Sequence, residues 1–185
     1  MKPEEFGKKV ALEVQDALAR IQDGQVDRFV QEILQTERVF LYGFGRILLM
    51  MKAFAMRLVH LGIEAHVIGD VTTPGVRTGD LIIMGSASGE TEMTYLVARK
   101  SKSLGARTAT ITANSRSRIA TACDVCVEIR AQAKSEVGEA ASSIQPMATL
   151  FEQCMLLLFD VVALVIMEKK GITAKEMLSR HSNLE

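Results

Sequence analysis

The chain lacks an excess of either charge. Its 22 basic and 22 acidic side chains cancel, and no block of one sign forms a tail. That removes the electrostatic footprint of a nucleic-acid binder. Cysteine is scarce, at three residues, and the N-terminus alternates charged with apolar residues where a signal peptide would carry an apolar run. The expectation is a reducing, cytoplasmic setting. Cys123 and Cys126 have redox or zinc spacing, but a second Cys-x-x-Cys is missing. Asp124 to Arg130 reads as a strand, on which positions three apart face opposite ways, so those thiols should diverge into structural roles. Long uninterrupted apolar runs are missing too. Phe151–Met167 is broken by Glu152, Gln153 and Asp160, which reads as a core or subunit-interface helix, with no membrane partner expected. The Gly-x4-Gly-Lys-Ser/Thr loop of nucleotide triphosphate sites is absent. Gly43-Phe44-Gly45 also falls short of a dinucleotide fingerprint, because Leu48 stands where a third glycine is needed.

What is present is a hydroxyl-rich loop in a telling place. Asp80-Leu81-Ile82-Ile83-Met84 reads as a strand covered on both faces. From about Glu90 to Leu104 the apolar positions Met93, Leu96, Val97 and Leu104 recur at helical spacing. Between them lies Gly85-Ser86-Ala87-Ser88-Gly89-Glu90-Thr91. A strand-to-helix loop offers unpaired N–H groups and the positive end of a helix dipole to an anion. Ser86, Ser88 and Thr91 add hydroxyls, and Gly85 and Gly89 let the backbone approach a ligand. Without a lysine, the loop suits a phosphomonoester. The plainer alternative is that Ser88 caps the helix and the rest is turn chemistry.

The wider pattern alternates helix and strand. Glu4 to about Ile21 and Val26 to Thr36 read as helices separated by Asp23-Gly24, and Arg38–Tyr42 as the first strand. A helix then runs to about Leu61, followed by strands at Glu64–Ile68, Leu81–Met84, Arg107–Thr112 and Asp124–Arg130, with Asn114–Ala122 a link or short helix. Such alternation argues for a parallel sheet with helices on both faces and ligands beyond the carboxyl ends of its strands. Both glycine-bearing loops, at 43–46 and 85–91, would open on that edge. The polar stretch 131–143 reads as a loop able to cover a site, ahead of a long helix beginning near Pro146.

Three side chains invite chemistry. Arg46 would place a cation on the loop edge, or else be a solvated first-turn arginine. Glu152, flanked in sequence by Met147, Leu150, Phe151, Met155 and Leu156, is either a desolvated base or an acid on the polar stripe of an amphipathic helix. His60 and His66, at a helix end and inside a strand, read as structural. His181 follows a short helix opened by a capping box, Thr173-Ala174-Lys175-Glu176, and lies in a polar tail that is either frayed or packed on another subunit.

With these pieces in view, the chain resembles the sugar isomerase (SIS) domain family and, within it, the 6-phospho-3-hexuloisomerases. The matching pieces are Gly43-Phe44-Gly45-Arg46, Lys52-Ala53-Phe54-Ala55-Met56-Arg57-Leu58, Thr72-Thr73-Pro74, Ser86-Ala87-Ser88-Gly89-Glu90-Thr91, Ile144-Gln145-Pro146-Met147, Leu150-Phe151-Glu152-Gln153, and Arg180-His181 through Asn183-Leu184-Glu185. The resemblance implies a single domain over 1–185, built as a three-layer α/β/α sandwich with a five-stranded parallel sheet. It implies a homotetramer without metal or organic cofactor, whose N-terminal helices (about 4–36) and C-terminal helix and tail (about 173–185) are available to pack on neighbouring subunits. The implied substrate is a sugar phosphate, D-arabino-hex-3-ulose 6-phosphate interconverted with fructose 6-phosphate in the ribulose monophosphate pathway. Ser86, Ser88 and Thr91 would hold the phosphate, Ala87 and Gly89 would complete that substrate-binding loop, and Gly43, Gly45 and Arg46 would lie beside the sugar. Glu152 would be the base, and His181 a second proton-transfer or ring-opening group reaching an adjacent subunit's site.

Three positions depart from the family pattern. Ile47 replaces a usual serine, Ala87 a common glycine, and Ala148 the glycine after Gln-Pro-Met. Ile47 removes a hydroxyl and adds bulk. Two other readings therefore stay open: an isomerase of another sugar phosphate, and a sugar-phosphate-binding sensor without catalysis.

Overall fold

The two most apolar strand segments, Arg38–Tyr42 (β1) and Leu81–Gly85 (β3), lie side by side at the centre of the sheet. A strand buried on both faces has no solvent side to mark with polar residues, hence their near-continuous apolar runs. The computed structural model describes residues 2–131 and 143–184. Its sheet has five strands in the order β2-β1-β3-β4-β5, all pairings parallel, with β2 at Glu64–Val67, β4 at Arg107–Thr112 and β5 at Val125–Glu128. The α/β/α sandwich and its five parallel strands stand as the pattern reading has them.

Seven helices cover the described sheet: α1 Pro3–Leu18, α2 Asp23–Leu34, α3 Gly45–His60, α4 Glu92–Ser103, α5 Arg118–Ala122, α6 Thr149–Lys170 and α7 Ala174–Ser179. One face of the sheet carries the larger core, in which residues from α1, α2, α3 and α6 pack on Val39, Leu41, Leu81, Ile83, Ala109 and Ile111. The opposite face carries a smaller cluster, Phe40, Ile82, Met84, Ala98 and Ala106, in which Ala98 comes from α4. Alternate residues of β1 and β3 therefore feed different cores, as the two-residue period of a strand requires.

Helix α6 ties the larger core together. It is long and apolar enough, by composition alone, to cross a membrane. Here it is a core helix, with Phe151, Cys154, Met155, Leu158, Phe159, Val162 and Ile166 all buried. Its Phe159 ring stacks on Phe54 of α3, with centroids 4.1 Å apart and planes within 3°. At the amino edge of the sheet, buried Arg38 donates from Nε and Nη2 to Asp80 at 2.9 and 2.6 Å, tying the start of β1 to the entry of β3. Burial against the charge-assisted hydrogen bonds to Asp80 leaves the guanidinium holding its proton more tightly than usual, the bonds outweighing the desolvation.

Several boundaries move from the sequence reading. Helix α2 begins at Asp23, so Asp23-Gly24 lies in its first turn and not between helices. An acidic residue there suits the helix dipole. The fifth strand is Val125–Glu128 only, and Cys123 is the C-cap of α5. The opposite-faces argument therefore fails for Cys123: both it and Cys126 line one cavity of about 270 Å³ with Gln25 and Arg28. Their structural role is unaffected, since burial pushes the Cys123 thiol up to about 12 and Cys126 to about 11, where neither forms thiolate readily. The capping box at Thr173–Glu176 is present. Of the loop read at 131–143, residues 132–142 lie outside the described residues, as does Glu185.

The stacked pair gives a direct check on the core. Phe159→Ala should lower the unfolding free energy by about 3–5 kcal/mol, the cost of an aromatic truncation that leaves a cavity. Urea denaturation measures it, and a loss below about 1 kcal/mol would mean that α3 and α6 close over the gap.

Candidate functional site

The order β2-β1-β3-β4-β5 reverses direction between β1 and β3. The chain leaves β1 toward β2 through α3, and leaves β3 toward β4 through α4, so the two loops diverge and open a crevice at their carboxyl ends. A cavity of about 390 Å³ sits there. The β1–α3 loop contributes Phe44, Gly45, Arg46 and Ile47; the β3–α4 loop contributes Ala87, Ser88 and Thr91; and the start of α6 contributes Met147, Ala148 and Glu152.

Three helix N-termini thus surround one space. Their N-cap residues are Phe44, Thr91 and Ala148, and none makes a side-chain capping bond. The first-turn N–H groups of all three helices thus receive no acceptor from their own N-cap side chains, and the three dipoles add at the cavity. An anionic group is the complement of that arrangement. The reading of Ser88 as a simple helix cap does not hold: α4 starts four residues later, at Glu92, and the Ser88 hydroxyl accepts from Glu90 N at 3.2 Å.

Within the hydroxyl loop the roles divide. Ser88 and Thr91 line the cavity. Ser86 is buried, accepts from Gly89 N at 3.1 Å and shares a 3.0 Å hydrogen bond with the Thr91 hydroxyl. Its place is therefore beneath the loop, orienting Thr91. Gly89 has φ +69°, and a methyl group there would overlap the Ser117 hydroxyl. Gly85 is not part of the cavity lining; a methyl on it would come within 2.6 Å of Ile47 Cγ2 and of Met51 Cε, so it makes room for α3. The loop is buttressed from outside by Arg118 at the start of α5, whose Nη2 donates to Glu90 O at 2.6 Å and whose Nη1 pairs with Glu92 at 2.7 Å. Nothing local in the sequence links Arg118 to a loop 28 residues earlier.

Glu152 and Arg46 meet across the cavity, with Arg46 Nε donating to Glu152 Oε2. The carboxylate side chain is 11% exposed and the guanidinium 60%. Neither open alternative survives intact: Glu152 is not on a polar stripe, and Arg46 is not merely solvated. The carboxylate is a buried acid anchored by a cation that still faces the opening. Ile47 lies beside them, its Cγ2 filling the hollow above Gly43 and Gly85. The bulk added in place of serine is thus seated against two glycines and forms part of the apolar wall with Phe44 and Met147. Ala87 and Ala148 carry no backbone strain, since Met147 is the non-glycine residue with positive φ, at 58°, among the described residues. Phe44 and Met147 belong to the Gly43–Arg46 and Ile144–Met147 pieces, and only the fold makes them cavity wall.

His181 is elsewhere within the chain. Its ring lies 5.1 Å from that of His60, and Arg180 Nη1 donates to His60 O at 3.1 Å. His60 ends α3, whose first residue is Gly45 at the cavity; at 1.5 Å per residue those ends are roughly 20 Å apart. His66 bonds Glu64 at 2.8 Å. Among the described residues no group of three His, Cys, Asp or Glu side chains could hold a metal ion. A groove of about 420 Å³ between α2 and α6 is slightly larger than the cavity, but it is lined by aliphatic residues with Asp23 and Asp27 and offers an anion no cation.

Comparison with known proteins shows the family of the chain. The SIS domain model matches residues 32–157. The chain is 40% identical over 185 residues to a Bacillus subtilis protein named 3-hexulose-6-phosphate isomerase, covering 100% of both. A Mycobacterium gastri protein of the same name is 38% identical, over 94% of this chain and 86% of that one. A Methanococcus jannaschii protein, whose crystal structure infers a molecular function of 3-hexulose-6-phosphate isomerase, superposes with a TM-score of 0.84 at 27% identity, covering 98% of this chain and 99% of the other.

The loop geometry makes Gly89 critical. Gly89→Ala should leave the sheet folded, lower stability by about 1–3 kcal/mol, and weaken binding of a sugar phosphate at least about tenfold as the Ser88–Thr91 donors shift. Calorimetric titration with fructose 6-phosphate reads the second effect; wild-type affinity would show that the loop's shape is not set at Gly89.

Proposed function

The chain belongs to the SIS domain family, and from that membership we propose that it is a ketose phosphate isomerase interconverting D-arabino-hex-3-ulose 6-phosphate and fructose 6-phosphate. The observation that carries the reading at the site is the meeting of a buried carboxylate and a hydroxyl loop in one cavity ringed by three helix N-termini. A phosphomonoester held at Ser88 and Thr91 fixes one end of an open-chain sugar, and the remaining length lies toward Glu152. Fixing the substrate in this way converts proton transfer into an intramolecular event.

The reaction moves a ketone from C3 to C2. Glu152 takes the C2 proton, the electron pair of that C–H bond forms the C2–C3 double bond, and the C3 oxygen accumulates negative charge. Returning the proton to C3 and moving the O2 proton to O3 completes fructose 6-phosphate, with no net loss of atoms. One carboxylate serves both carbon transfers if the substrate does not turn. Arg46, beside the carboxylate and open to the cavity, is placed to stabilise the enediolate oxygen. The apolar wall of Phe44, Ile47 and Met147 limits water at the intermediate.

His181 is assigned the oxygen-to-oxygen transfer, or ring opening, in the site of a neighbouring subunit. Its distance from Glu152 in its own chain supports that reading, because only another copy can bring the two together. Exposed apolar residues on α3 and α6, Leu49, Met56, Val59, Leu157, Val161 and Leu164, supply a surface for such a copy. A homotetramer of single-domain chains in the cytoplasm, within the ribulose monophosphate pathway, is part of the same proposal.

Hex-3-ulose 6-phosphate generated enzymatically, with fructose 6-phosphate followed by a coupled dehydrogenase, tests the reaction. Glu152→Gln should lower kcat by about 10²–10⁴-fold while KM changes far less. Unchanged turnover removes Glu152 from the mechanism; saturable binding without product by the wild type favours a sensor. For the shared site, inactive Glu152→Gln and His181→Ala proteins, unfolded and refolded together, should regain activity through mixed subunits. A mixture as inactive as its parents excludes a composite site.

A further inference from the structure

The N-terminal helix contributes nothing to the cavity and lies outside the residues matched by the family model. It nevertheless grips the segment that leads into the site. Glu13 of α1 accepts three hydrogen bonds from consecutive residues: Ser143 Oγ at 2.7 Å and Gln145 Nε2 at 3.1 Å on Oε2, and Ile144 N at 2.8 Å on Oε1. Burial pushes its carboxyl group up, but these bonds and nearby Lys9 outweigh it and hold the group below its ordinary value. Gln145 is itself buried, although it lies in an irregular segment. Nothing in the local sequence of an exposed-looking helix marks Glu13 for this contact, about 130 residues away.

From that anchor the chain runs straight into the site. Gln145 is followed by Pro146, then Met147 in the left-handed region at φ 58°, then Ala148, the N-cap of α6. Met147 and Ala148 are cavity wall, Thr149 donates twice to Pro146 O, and Glu152 N donates to Ala148 O at 3.0 Å. A non-glycine residue in the left-handed region costs on the order of 1 kcal/mol and persists only where its neighbours over-determine it. The carboxylate on α1 and the first turn of α6 are the two ends of that constraint.

Resting on the reading of Glu152 as the base, we propose that Glu13 is a positioning residue for the isomerase reaction, holding residues 143–145 so that the Met147–Ala148 turn presents Glu152 to the substrate. The phosphate loop is built on β3, α4 and α5 and does not depend on this anchor. Losing Glu13 should therefore affect turnover more than substrate affinity, which a general loss of stability would not do. Both oxygens are used, so glutamine, which keeps one acceptor oxygen, preserves part of the anchor.

The experiment combines steady-state kinetics on hex-3-ulose 6-phosphate with amide hydrogen exchange on the free protein, for wild type, Glu13→Ala and Glu13→Gln. Glu13→Ala should lose protection at Ile144 and lower kcat at least about tenfold, with KM changed less than about threefold. Glu13→Gln should recover much of both. Wild-type kcat in Glu13→Ala, unchanged protection at Ile144, or no recovery in Glu13→Gln overturns the role. If Glu13→Ala does not fold, Glu13→Gln decides: with one acceptor lost it should lower kcat by about threefold at unchanged KM, and wild-type kcat with wild-type protection at Ile144 overturns the role. A wild-type protein that leaves hex-3-ulose 6-phosphate unchanged overturns the reaction itself and this role with it; an active wild type with an indifferent Glu13 overturns the role alone.

Discussion

The reversal of strand order between β1 and β3 is the constraint on which the rest of this structure depends. Parallel strands need long crossovers, and right-handed crossovers leaving adjacent strands in opposite directions place α3 and α4 on opposite faces of the sheet. The crevice between their first turns cannot be filled by either connection. Every group with chemical potential at this edge, from Arg46 to Thr91, is there because its loop begins at that point. The positive ends of α3 and α4 converge for the same reason, and α6, lying beside α3 and running the same way, adds a third.

Packing turns this topology into a site with defined walls. Helix α3 approaches β3 closely because Gly43 and Gly85 carry no side chain against Ile47 and Met51. Helix α6 is held against α3 by the Phe54–Phe159 stack and brings its first turn to the same opening. The Arg46–Glu152 pair is a consequence of that helix contact: residues 106 apart in sequence meet because two helix starts do. A buried carboxylate needs a partner, and here the partner is a residue that also lines the open cavity. The Glu13 contact extends the arrangement outward, so that even the first helix of the chain bears on the geometry at the start of α6.

The surface that remains carries meaning in its own right. His181 sits at the end of α3 far from the cavity of its own chain, and apolar side chains stay exposed along α3 and α6. Isomerisation by way of an enediol asks for one group that moves a proton between carbons and another that manages the oxygens. A single chain brings to the cavity the buried carboxylate proposed here for the first role. The position of the second explains why the activity is tied to assembly in the function proposed here.

Local patterns determined a great deal. The alternation of strands and helices, the doubly buried character of β1 and β3, the hydroxyl loop at a carboxyl end and the Thr173–Glu176 capping box are short-range features, written within a few residues by periodicity and turn chemistry. Glu152 and the serine loop could be singled out for the same reason. The sequence could not decide whether Glu152 was a solvated acid or a buried, anchored carboxylate, because burial is a property of what packs around a residue. It could not separate Ser88 and Thr91, which face the cavity, from Ser86, which lies beneath them. Nor could it show that Gly85 serves Ile47 and Met51, or that Glu13 and Arg118 brace loops far along the chain. Those outcomes rest on contacts between segments distant in sequence, and such contacts exist only once the sheet and its crossovers have brought the segments together.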